Sequence, residues 1–204
     1  MNQFIKRVKG MLLHPKAEWE IIAAEEKPHA KVLVSWYMPL ALIPVVADFV
    51  NGWMEVEPLY TNVWRKVFLY AVGLGGIYFD AFVINLFAKR FGSVKNFSRA
   101  FALSAHTVTA RCVFYLLLII PFPEWFQIVF SLSLMMYCCW VQFIGLQPMM
   151  QTPKEKRLPY IITTQLVNIG VIIIITIALV LLFILVMHSI KGELHNLIQN
   201  IDAP

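Results

Sequence analysis

Apolar residues fall along this chain in five long blocks, and short segments between them hold nearly all the charge, proline and polar punctuation. The blocks lie at about 32–52, 67–88, 100–121, 125–147 and 161–187, each with the roughly 20 helical residues that cross a hydrocarbon layer about 30 Å thick. The segments between them run from Met54 to Asn62 with Pro58, from Lys89 to Arg99 with Gly92, from Pro121 to Glu124 and from Pro148 to Tyr160. Connections this short make consecutive helices antiparallel neighbours. The pattern predicts an all-α polytopic membrane protein with a segment 1–31, a five-helix transmembrane domain 32–188 and a short tail 189–204.

Ahead of the first block, Phe4, Val8, Met11 and Leu12 recur at helical spacing with Lys6, Arg7 and Lys9 between them. The basic residues interrupt any continuous apolar core, so the stretch reads as an amphipathic helix rather than a signal peptide. A helix of this kind lies at the inner membrane surface, or else packs beneath the bundle. Pro15, Trp19, Ile21 and Ile22 extend it into a second interfacial element.

Composition agrees with a membrane solvent. Of 204 residues, 59% are hydrophobic and 14% charged, where soluble domains run near half and a quarter. The net charge of +5 would suit a nucleic-acid binder, but its distribution excludes that. Thirteen of the 17 Lys and Arg lie in residues 1–31, 89–99 and 154–157; Arg65, Lys66 and Lys191 lie on the other side, and Arg111 is inside a span. The excess of Lys and Arg marks the cytoplasmic side, placing the N-terminus in the cytoplasm and the C-terminus outside. No basic stripe interleaved with aromatics is present, so nucleic acid is not an expected partner.

Catalytic signatures are also missing. There is no HExxH, no Gly-x-Ser-x-Gly and no phosphate-cradling glycine loop, so neither an enzyme nor a cofactor is expected. Cys112, Cys138 and Cys139 lie within spans and read as packing residues. His188 and His195, seven apart with Glu193 between them, make only a weak metal site. Trp36, Trp53, Trp64, Trp125 and Tyr160 stand near span ends, where amphipathic rings anchor at headgroup level. Gly73, Gly75 and Gly76 predict a face of the second span that admits a neighbouring helix and also carries Asp80.

Asp48, Asp80, His106 and Arg111 are the costly residues, because an ionised side chain at the bilayer centre costs roughly 2.5–3.5 kcal/mol and ordinarily pairs. Two arrangements suit them. Arg111 paired with Asp80 or Asp48 would fix helix register, with His106 as a neutral hydrogen-bonding partner. Alternatively, Asp80, His106 and Arg111 would line a path for protons or cations.

The segment Gly145-Leu146-Gln-Pro-Met-Met-Gln-Thr152-Pro153-Lys-Glu-Lys156-Arg-Leu-Pro-Tyr160 resembles the Gly-Leu-Pro, Met, Thr-Pro and acidic-Lys pattern between the fourth and fifth spans of bacterial members of the Yip family, the Ypt/Rab-interacting polytopic membrane proteins. Pro15 with Trp19 resembles that family's N-terminal Pro-x-x-x-Trp motif. Asn85 to Gly92 followed by Asn96-Phe97 resembles its second-span exit. The resemblance covers nearly the whole chain, with two departures. Gln147 stands where the family has proline, one residue before Pro148, and the third span has Ala105-His106 and Ala110 where the family has a kinking proline. An unkinked third helix is therefore expected. In the linker, Pro148 and Pro153 are expected to stop the helix, and Lys154, Lys156 and Arg157 to obey the positive-inside rule or to meet lipid headgroups.

The resemblance implies a non-enzymatic interaction or membrane-organising component of the trafficking or scaffold type. Its expected partners are the lipid bilayer, a homo-oligomer and a protein at the cytoplasmic loops. A small proton or cation transporter using Asp80, His106 and Arg111 is the alternative.

Overall fold

A computed structural model describes residues 3–54, 59–120 and 122–201, excluding the side chains of 51–54, 59, 61, 62, 118, 119, 183 and 186–201. Pro58, Pro121 and the side chains of Trp53, His188, Glu193 and His195 lie outside the described residues. The described residues form helices and no strands. The α-helices are α1 (Gln3–Leu13), α2 (Pro15–Glu25), α3 (His29–Val32), α4 (Met38–Met54), α5 (Leu59–Phe87), α6 (Phe97–Thr107), α7 (Thr109–Phe114), α8 (Glu124–Met150) and α9 (Arg157–Ile201). A π-turn at Leu33–Tyr37 joins α3 to α4, and 3₁₀ turns follow α5, follow α7 and precede α9.

Five helical stretches are long and apolar enough to cross a membrane: His29–Val50, Val63–Phe91, Phe97–Leu117, Glu124–Met150 and Lys154–Leu182. They make the chain an integral membrane protein with five candidate spans. Two compact units divide it, residues 1–164 and 165–204. In the second unit α9 runs on from Gln165, and its described apolar side chains from Ile172 to Leu185 are all exposed, as a helix apolar all round requires of a lipid-facing surface.

The core of the first unit is the third span. Ala100, Phe101, Leu103 and Ala105 on α6 are fully buried, and α6 packs against both α5 and α8. Small residues allow those helices close approach. Asn96 caps α6, its side-chain oxygen accepting from the Arg99 backbone N–H at 3.2 Å. Gly92, at φ 68°, ends the preceding 3₁₀ turn in a left-handed conformation that other residues adopt with strain.

Two expectations about helix continuity are overturned. The third span breaks at Val108 (ψ 0°) without any proline. The Thr107 hydroxyl donates to the Leu103 carbonyl at 2.7 Å and the Thr109 hydroxyl to the His106 carbonyl at 2.6 Å; side chains that bond the carbonyls of their own helix compete with its backbone ladder. Conversely, Pro148 does not stop α8, which runs through it to Met150. The stop is Gln151 in a left-handed conformation (φ 54°), after which Thr152 returns both its N–H (3.3 Å) and its hydroxyl (3.1 Å) to the Leu146 carbonyl.

Candidate functional site

The N-terminal helices take the packed alternative. Met11, Trp19 and Ile22 are buried, and α2 lies along the C-terminal part of α8. Trp19 Nε1 donates to the Val141 carbonyl at 3.0 Å, and the Tyr137 hydroxyl donates to the Leu12 carbonyl at 3.0 Å. Pro15 is buried and opens α2, where its missing N–H leaves no bond unmade. Trp19 rests on Gly145, where a Cβ would stand 2.6 Å from Trp19 Cε2 and 2.6 Å from Leu103 Cδ1. The two motif segments, far apart in sequence, thus meet in one contact.

The hairpin of α1 and α2 is also held by charge. Arg7 Nε donates to Glu18 at 3.2 Å, and its Nη1 and Nη2 reach the two Glu25 oxygens at 2.7 and 2.5 Å. This forked contact holds the Glu25 carboxyl down at about 2 and pushes the Arg7 guanidinium above its ordinary value. Lys27 bonds Glu25 at 2.8 Å, and Arg99 pairs with Glu26.

A cavity of about 480 Å³ opens between this hairpin and the third span. Its lining includes Arg7, Glu25, Lys27 and Arg99, and, deeper, Trp36 and His106. Those two rings are buried and stacked, centroids 4.7 Å apart at 16°. His106 Nδ1 bonds the Ala102 carbonyl at 2.8 Å; since a carbonyl only accepts, Nδ1 carries the proton and Nε2 is an acceptor. Neither His106 Nε2 nor Trp36 Nε1 has a protein partner. The deep end therefore offers one donor and one acceptor.

The four residues singled out inside the spans do not converge. Asp48 pairs with Lys66 rather than Arg111. Asp80 accepts from the Ser104 hydroxyl at 2.6 Å and from Gln142 Nε2 at 3.1 Å. His106 stacks on Trp36, and Arg111 lines a second cavity with Asp48 and Lys66. Among the described residues Arg111 makes no ion pair, and Asp80 and His106 bond different partners.

The linker motif forms a compact corner. The Thr152 hydroxyl, buried, meets the Ser93 hydroxyl at 2.8 Å, and the Val94 N–H donates to the Met150 carbonyl at 2.9 Å. Pro153 opens the 3₁₀ turn that contains Lys156, and Gly92 lies beside both. Lys154 and Lys156 are exposed, while Arg157 stands over the Phe143 ring at 5.7 Å.

Several expectations fail for packing reasons. Trp36 and Tyr160 are buried rather than membrane-surface anchors: Trp36 stacks on His106, and Tyr160 donates to the Ile84 carbonyl at 2.5 Å. Trp64 and Trp125 remain exposed. Among the described residues nothing lies within 4 Å of where a Cβ would stand at Gly75 and Gly76, whereas Gly73 approaches the Tyr37 hydroxyl. Lys66, Ser104 and Trp36 are the partners that sequence reasoning missed. The signal for Lys66 was its charge within a helical turn or two of an apolar block, a position that also suits a loop residue.

The sequence model described as the Yip1 domain matches residues 9–190. No curated protein and no solved structure matches the chain.

Proposed function

The chain belongs to the Yip1 domain family, and on that premise we propose that it acts as a non-enzymatic interaction or membrane-organising component of a bacterial inner membrane, of trafficking or scaffold type, self-associating and with its N-terminus in the cytoplasm. One observation carries this reading. The ionisable residues inside the spans each have separate local surroundings: Asp48 with Lys66, Asp80 with Ser104 and Gln142, His106 with Trp36. A proton or cation path needs neighbouring groups within hydrogen-bond reach of one another, and these are distributed over three places. The charged groups that do gather, Arg7, Glu25, Lys27, Glu26 and Arg99, stand at the face formed by the N-terminal hairpin and the start of α6. That face is where a partner is expected to dock.

Crosslinking in native membranes followed by mass spectrometry tests the reading. Crosslinks from Lys27, Lys95, Lys154 and Lys156 to a defined protein or to a second copy support it. Crosslinks confined to this chain reject it, as does a pH-driven or cation-driven flux in proteoliposomes that Asp80→Asn abolishes.

A further inference from the structure

A second cavity, of about 360 Å³, lies among the first three spans. Tyr37, Ala41, Pro44 and Val45 line it from the first span, Leu69, Tyr70 and Gly73 from the second, and Arg111, Cys112 and Tyr115 from the third. Two features separate it from a packing defect. The Asp48–Lys66 ion pair lines one part of it, and the Arg111 guanidinium, which makes no ion pair among the described residues, lines another. Asp48 and Lys66 cancel, so Arg111 leaves the cavity with one net positive charge.

That charge sits where it is costly. Arg111 is six residues from Leu117 at the end of its span, about 9 Å along a helix axis, and an uncompensated arginine within a bilayer requires a counter-ion or water. Two members of the lining, Leu69 and Arg111, are exposed, whereas Ala41 and Cys112 are buried. The cavity thus opens beside Leu69, on the flank of the second span. An occupant reaching it from that flank comes from the bilayer. It needs an apolar body and an anionic group, and the planar guanidinium fork matches an oxyanion with two acceptors.

We propose that this cavity binds a phospholipid, with its phosphate oxygens on Arg111 and its acyl chains along the exposed flank of α5. The site takes the phosphate of the lipid rather than any particular group beyond it, because apart from Arg111, the Asp48–Lys66 pair and the Cys112 thiol the lining is tyrosine, glycine and aliphatic carbon.

The test uses the full-length protein purified in detergent, with its lipid content replaced by added phosphatidylglycerol, by diacylglycerol of the same chains, or by inorganic phosphate without lipid. Native mass spectrometry and thermal unfolding read retention and stabilisation. The expected result is that phosphatidylglycerol is retained about tenfold better than diacylglycerol, the scale of a hydrogen bond to a charged group, and raises the melting temperature more. Arg111→Gln removes the preference while leaving diacylglycerol retention unchanged. Equal retention and equal stabilisation by the two lipids in the parent protein overturn the proposal without recourse to any variant. A preference that survives Arg111→Gln overturns the assignment to Arg111. Stabilisation by inorganic phosphate matching that of the lipid overturns the lipid as its source.

Discussion

The indole of Trp19 lies on the bare backbone of Gly145, so close that a Cβ at position 145 would stand 2.6 Å from Trp19 Cε2 and 2.9 Å from Cζ2. Gly145 sits within α8, where glycine costs about 1 kcal/mol relative to alanine. The contact offsets that cost: the indole is fully buried and bonded to the Val141 carbonyl, so it fixes the N-terminal hairpin on the fourth span.

Gly145→Ala is therefore expected to destabilise despite its better helix propensity. Trp19 and Leu103 are both fully buried and cannot yield, and overpacking of this kind costs about 1–3 kcal/mol. Thermal unfolding in detergent measures it. Part of the loss should vanish when Trp19→Ala is already present, the Leu103 contact being left in place, so fully additive losses in the double-mutant cycle would sink the proposed contact.

The Arg7–Glu25 pair predicts acid sensitivity of the hairpin. The Glu25 carboxyl, held near 2 against an ordinary 4.5, contributes stability that is present above its unfolded value and is lost as pH falls from about 5 toward 2. Glu25→Gln should lower the melting temperature at pH 6 and converge on the parent only at or below about pH 2. A difference of constant size across that range would show that the pair contributes nothing through ionisation.

Asp80 predicts a local defect. Ser104→Ala removes its short hydrogen bond at 2.6 Å, and a bond to a charged group is worth about 1.5–3 kcal/mol. Asp80→Asn should be milder than Asp80→Ala, because an amide still accepts from both Ser104 and Gln142. Unfolding of the three variants ranks them directly.

Lys66 and Asp48 predict a compensated double substitution. Removing one member of a buried pair leaves an uncompensated charge at a cost of about 3–5 kcal/mol, and Lys66 is nearly inaccessible. Lys66→Met should therefore be more damaging than Lys66→Met combined with Asp48→Asn. If the double variant is the less stable, the pair does not hold the first two spans together.

The five spans were legible because hydropathy is a property of local windows. Any 20-residue stretch rich in Leu, Ile, Val and Phe prefers lipid whatever its neighbours are, and a Yip-like identity could be read from Pro15, Trp19, Gly145, Leu146, Thr152 and Pro153 as short motifs. The break at Val108 was hidden because it arises from threonine hydroxyls competing for the carbonyls of their own helix, where the absence of proline argued for continuity.

What the sequence determined by itself was thus the number of spans, their approximate limits and the residues that carry cost within them. Only the tertiary structure decided which of those residues meet. Trp19 finds Gly145, Asp48 finds Lys66 rather than Arg111, and His106 stacks on Trp36 while Asp80 bonds Ser104. The physical reason is that burial in lipid requires only composition over one helical length. Pairing depends on the rotation and relative height of helices that are distant in the chain, which no single stretch encodes.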